Sequence, residues 1–79
     1  MADYIATFFT HYDAVRFSRG LQQAGIAAAL APVPRRLSSS CGTCARFAFG
    51  GDPLALSREG LEQLVREEGG CYLPVIDNR

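Results

Sequence analysis

The chain has 79 residues, enough for one small domain with a single core, and its 48% hydrophobic and 20% charged content places it with globular rather than disordered sequences. Eight basic residues cancel eight acidic ones, which disfavours nucleic-acid binding. All eight basic residues are arginine, so Schiff-base chemistry and Walker-type phosphate loops, which need a lysine amine, are excluded.

Three cysteines are an odd number, where a small secreted disulfide scaffold shows an even set, so a reducing cytoplasm is the expected compartment. Met1 to Tyr4 carries no signal-peptide pattern, and nowhere do ~18 apolar residues run together as a membrane span requires.

Tyr4 to Phe9 alternates bulky and small residues and reads as a first strand. Thr10 then supplies an N-cap oxygen, with Asp13 three residues on, in a near capping box that opens a helix. Ala14, Phe17, Leu21 and Ala24 share its apolar face, Arg16, Arg19, Gln22 and Gln23 its polar one, and Gly25 is placed to end it. Ile26 to Val33, short and almost wholly apolar, reads as a second strand, and Pro32 and Pro34 put it at a sheet edge.

Thr43 to Phe49 alternates again, with Thr43, Ala45, Phe47 and Phe49 on one face and Cys44, Arg46 and Ala48 on the other. After the turn cluster Gly50-Gly51-Asp52-Pro53, Ser57 and Glu59 start a second predicted helix with Leu61, Leu64 and Val65 as its stripe and Glu62 and Arg66 as an exposed pair. Gly69-Gly70 stops it, and Cys71 to Ile76 reads as a last strand whose Pro74 again argues for an edge.

This order, strand, helix, strand, strand, helix, strand, is the ferredoxin-like βαββαβ plan for residues 1–79 as a single domain. It would give a four-stranded antiparallel sheet with both helices on one face. The other face would be uncovered, which invites a homodimer.

The stretch Pro32 to Cys44 carries the chemistry. Two prolines end an apolar run, Arg35 and Arg36 follow, and Ser38-Ser39-Ser40 lead into Cys41-Gly42. A thiol on such a turn sits where backbone N–H groups converge, and such concavities favour anions. The two arginines add positive charge close in sequence, so Cys41 is the candidate reactive thiolate, with Ser39, Ser40 and Gly42 as the groups that hold the anion.

Phe8-Phe9, Thr10-His11-Tyr12-Asp13-Ala14, Pro34-Arg35 and Ser39-Ser40-Cys41-Gly42 together resemble the selenium/sulfur carrier-like family across most of residues 3 to 49. The resemblance implies a carrier that takes up sulfur or selenium on Cys41 beside a cysteine desulfurase or selenium-handling enzyme. It implies a carrier rather than a stand-alone enzyme, and no cofactor.

Cys41 and Cys44 have Cys-x-x-Cys spacing, but extended residues three apart lie ~10 Å from each other, beyond the ~7 Å reach of a disulfide. With a turn at Gly42, Cys44 would resolve a persulfide on Cys41 by forming a disulfide and releasing sulfide or selenide. In the ferredoxin-like plan His11 and Cys71 fall at the end of the sheet opposite Cys41. Three cysteines and His11 therefore do not converge, and they also lack the paired spacing of zinc motifs. Two other readings stay open: a non-catalytic interaction module that docks through the open sheet face, and a Cys-x-x-Cys thiol-redox or metal-binding protein.

Overall fold

Ala2–Phe8 forms β1, the strand on which the sheet is built. The computed structural model describes all of residues 1–79. Beyond β1 it contains α1 (His11–Gln23), β2 (Ala28–Pro32), β3 (Thr43–Phe49), a short 3-10 turn at Pro53–Leu56, β4 (Leu61–Glu68) and β5 (Cys71–Asp77). β1 pairs antiparallel with β3 on one side and β4 on the other, and the strand order is β2-β3-β1-β4-β5. The edges are β2, which ends on Pro32, and β5, which contains Pro74; there a missing N–H interrupts only one ladder.

The ferredoxin-like expectation is corrected by the last third of the chain. Residues 61–68 form an inner strand and not a helix, so the sheet has five strands and the protein a single α-helix. The helical spacing of Leu61 and Leu64 has a different origin. Leu61 opposes Phe8 and Gln63 opposes Thr7, which leaves Glu62 as an extra, bulged residue. A bulge inserts one residue without a partner and resets the side-chain alternation, so Leu61 and Leu64 share a face although they are three apart. Gly69 and Gly70, at φ +56° and +82°, then make the two-residue turn to β5. Positive φ at both central positions is what a tight hairpin with the strand twist requires; the same glycines that suggest a helix stop are a hairpin turn.

Thr10 caps α1 as expected, its Oγ1 accepting from the N–H of Asp13 at 3.2 Å. The helix lays Ala14, Phe17 and Leu21 on one face of the sheet. There they meet Tyr4, Ala6, Phe8, Ala45, Phe47, Leu61 and Leu64 in the main core, with Leu56 of the 3-10 turn closing its side. Phe17 contacts the rings of Phe8 and Phe47 at centroid separations of 5.1 and 5.8 Å, inside the range of favourable aromatic pairs.

The opposite face is not open along its whole length. The connection between β2 and β3, residues 33–42, folds back over it, so that Val33 and Leu37 pack on the buried cluster of Ile5, Cys44 and Val65 with Tyr72 alongside. Farther down the same face Arg46 and Glu67 form a half-exposed ion pair at 3.2 Å. The bare apolar surface on which the dimer expectation rests is thus partly occupied by the protein's own loop.

Candidate functional site

The site is built where loop 33–42 re-enters the sheet. The loop is closed at its base by the N–H of Val33 donating to the carbonyl of Gly42 at 3.1 Å, and the N–H of Leu37 donates to Pro34 within it. Gly42 has φ +74°, the left-handed conformation that any side chain would strain. Cys41 precedes that turn. It is half-buried against the helix-side core, and its Sγ–H donates to the carbonyl of Thr43 at 3.5 Å.

His11 reaches the same end of the sheet. β1 and β2 both run toward the same end of the sheet with α1 returning between them, so the start of α1 and the β2–β3 loop meet there. His11 Nδ1 lies 3.2 Å from Thr43 Oγ1, on the residue whose carbonyl accepts from Cys41. The expectation that His11 occupies the opposite end is therefore corrected, and the topology gives the reason. Cys71, by contrast, is exposed at the far end of the β4–β5 hairpin, opposite Glu68.

Cys44 is placed unlike Cys41. It is 0% exposed, packed in the loop-side cluster, with its thiol donating to the carbonyl of Pro32 at 3.6 Å. Burial pushes this thiol above its ordinary pKa and the Cys41 sulfur adds to the effect, outweighing the opposing charge of Arg46. The two sulfurs pack against opposite faces of the sheet, and both are free thiols.

The serines have partners of their own. Ser39 Oγ donates to the carbonyl of Phe8 at 3.3 Å. Ser40 gives its hydroxyl to Glu62 Oε2 at 2.6 Å and its backbone N–H to the same carboxylate at 3.2 Å, while Thr7 Oγ1 donates to Glu62 Oε1 at 3.1 Å. Of the groups expected to hold a thiolate, Ser40 thus gives both its donors to an internal anion and Ser39 turns to a backbone carbonyl. Glu62 is only 3% exposed. Burial alone would raise its pKa, but hydrogen bonds from the Ser40 hydroxyl, the Thr7 hydroxyl and the Ser40 N–H outweigh this and lower it below the usual carboxylate value. Gln63 donates to the carbonyl of Ser38 at 3.0 Å, and Arg79 reaches Ser38 Oγ at 3.3 Å, so β4 and the residues after β5 both tie down this arm of the loop.

Arg36 points elsewhere: its guanidinium donates to the carbonyl of Gly70, in the hairpin turn before Cys71, at 3.0 Å. Arg35 is exposed and makes no hydrogen bond or ion pair. Sequence reasoning missed Glu62 because a helical 57–68 puts it on a solvated face; the readable signal was the hairpin glycine pair, which allows a strand at 61–68. No group of three or more His, Cys, Asp or Glu side chains is placed to hold a metal ion, and no helix is long and apolar enough to cross a membrane.

No curated protein and no solved structure matches the chain. A family model does, the one described as "Putative Se/S carrier protein-like", over residues 3–69. That span includes Cys41, Cys44, Glu62 and the whole of loop 33–42, leaves Cys71 outside, and covers well over half of the molecule: the chain belongs to the Se/S carrier protein-like family.

Proposed function

We propose that the protein carries sulfur or selenium as a persulfide or perselenide on Cys41, taking the atom from a donor such as a cysteine desulfurase and passing it to an acceptor. The Cys41 thiolate attacks the outer sulfur or selenium of the donor's persulfide or perselenide. The donor's S–S or S–Se bond breaks, its cysteine leaves as a thiolate, and Cys41 holds the transferred atom in a new S–S or S–Se bond. An acceptor nucleophile then attacks that outer atom and Cys41 returns as a thiolate, so neither exchange needs an added oxidant or reductant.

The observation that carries this reading is the difference among the three cysteines. Cys41 alone is both reachable and inside the family match; Cys44 is sealed in the sheet, and Cys71 lies beyond residue 69. Cys44 takes part as a resolving thiol only if strand β3 opens at its start, because its sulfur faces away from the side where Cys41 packs. Thr43 lies between Cys41 and His11, its carbonyl accepting from the thiol and its hydroxyl meeting the imidazole.

The test is mass spectrometry of the protein after incubation with a cysteine desulfurase and cysteine, repeated with selenocysteine as the substrate. Cys41→Ser should abolish loading and leave the fold intact, since a half-buried turn thiol contributes little packing. Loading that persists in Cys41→Ser, or disappears in Cys71→Ser, would overturn the assignment.

A further inference from the structure

We propose that Glu62 is the positioning residue of the carrier thiol: a buried carboxylate in the β4 bulge that latches the Ser39-Ser40 arm of the loop to the sheet and so fixes where Cys41 is presented. The proposal rests on the reading of Cys41 as the carrier cysteine.

Three features place Glu62 in this role. The bulge sets Glu62 and Gln63 one after the other on the loop side, between Leu61 and Leu64 on the helix side, and there Glu62 is 3% exposed. A carboxylate is rarely so buried unless its charge is fully met by hydrogen bonds. Here the partners are Thr7 on the central strand and both donors of Ser40, the residue next to Cys41. One anion thus joins β1, β4 and the loop at a point one peptide from the reacting sulfur. The 2.6 Å contact from the Ser40 hydroxyl has the length of a charge-assisted bond, roughly twice as strong as a neutral one.

The rest of this arm is held by neutral or exposed groups. Ser39 donates to the Phe8 carbonyl, Gln63 donates to the Ser38 carbonyl, and the Ser38 hydroxyl meets the exposed Arg79. Removing the carboxylate therefore leaves the loop attached at its apolar anchors, Val33 and Leu37, but free to open around Ser40 and Cys41.

The consequence distinguishes positioning from bulk stability. A loop that opens more often exposes the Cys41 sulfur to a small reagent while holding it less often in the one geometry that a protein donor can engage. With Glu62→Gln, which keeps the size and one acceptor oxygen, alkylation of Cys41 by iodoacetamide should rise by roughly tenfold at neutral pH, the opening expected when one charged hydrogen bond is lost. Loading from a cysteine desulfurase should fall by a similar factor. Ser40→Ala, which removes the hydroxyl donor and keeps the N–H, should shift both rates the same way by less. Leu64→Val, which weakens the helix-side core without touching the loop, is the control at matched loss of stability. All proteins carry Cys71→Ser, and rates are compared under conditions where each is folded by circular dichroism.

Opposite shifts in the two rates for Glu62→Gln and Ser40→Ala, absent in Leu64→Val, establish the latch. Rates in both variants that follow Leu64→Val overturn it. If loading instead proves independent of Cys41, the carrier reading fails while the alkylation arm still decides whether Glu62 holds the loop.

Discussion

Against α1 the sheet presents Tyr4, Phe8, Phe47, Leu61 and Leu64, whereas against loop 33–42 it presents Ile5, Cys44 and Val65 beside the polar Thr7, Glu62 and Gln63. The first face is a conventional core in which area removed from water is the main term. The second buries a smaller apolar patch and adds a hydrogen-bonded carboxylate, a poor way to gain stability but an effective way to specify one position for a loop, because directional bonds discriminate among geometries that apolar contact tolerates. The two faces of one sheet thus divide the work: one holds the fold together, and the other fixes the loop that leads to Cys41.

The largest effect that tests this division is on the helix side. Phe8→Ala, which removes a ring 1% exposed and in contact with Phe17, should cost about 3–5 kcal/mol. Total stabilities of about 5–15 kcal/mol are usual, so the variant should be partly unfolded at 37 °C, as measured by urea denaturation. Leu37→Ala, on the partly buried loop-side anchor, should cost clearly less. Equal losses would mean that the loop is part of the core and not a layer laid on it.

Next is the acid response. The folded pKa of Glu62 is lowered relative to an unfolded value of ~4.3, so its contribution to stability is complete above that value and is lost as pH falls through the folded pKa. Unfolding free energies from pH 6 to pH 3 should fall, and Glu62→Gln should flatten the decline. Asp77, lowered by its hydrogen bonds with Arg79, works in the same direction but is exposed, so Asp77→Asn should flatten it less. An acid limb unchanged in Glu62→Gln would remove the carboxylate from its central place on the loop face.

Cys44 gives the alkaline counterpart. Its folded pKa is raised, chiefly by burial, so it stays protonated in the folded protein while the unfolded chain ionises above ~8.5. Stability is therefore full below that pH and declines as pH rises through the folded value. Cys44→Ala should abolish this decline between pH 8 and 10, and exposed Cys71→Ser should not. In the wild-type protein Cys44 should be alkylated only at the rate of global unfolding; modification as fast as that of Cys41 would show that the loop face opens at β3.

The smallest effect concerns the arginines. Arg36 is held by the Gly70 carbonyl, so Arg36→Gln should speed amide exchange in the Gly70–Tyr72 turn and change global stability by less than ~0.5 kcal/mol. Arg35→Gln should do neither. If Arg36→Gln instead slows Cys41 alkylation and leaves the hairpin unchanged, the arginine acts at the thiol, as its place in the sequence first implies.

Local pattern alone determined much of this protein. The alternation in Tyr4–Phe9 and Thr43–Phe49, the Thr10 cap with its apolar stripe, and the prolines that confine β2 and the final strand to edges each rest on interactions within a few residues, and each of these elements forms within about two residues of its expected bounds. Cys41 stood out in the same way, as a thiol at a glycine turn.

Residues 61–68 were decided by tertiary structure. Leu, Glu, Gln and Arg favour helix in isolation, but β1 has a second edge whose N–H and C=O groups need a partner, and pairing there outweighs a propensity of a few tenths of a kcal/mol per residue. That one substitution of strand for helix creates the bulge, the bulge sets Glu62 and Gln63 side by side on the loop face, and Glu62 takes both donors of Ser40, more than twenty residues away in sequence. A contact of that range has no trace in local periodicity, because nothing near Glu62 in the chain reveals which face of which sheet it will meet.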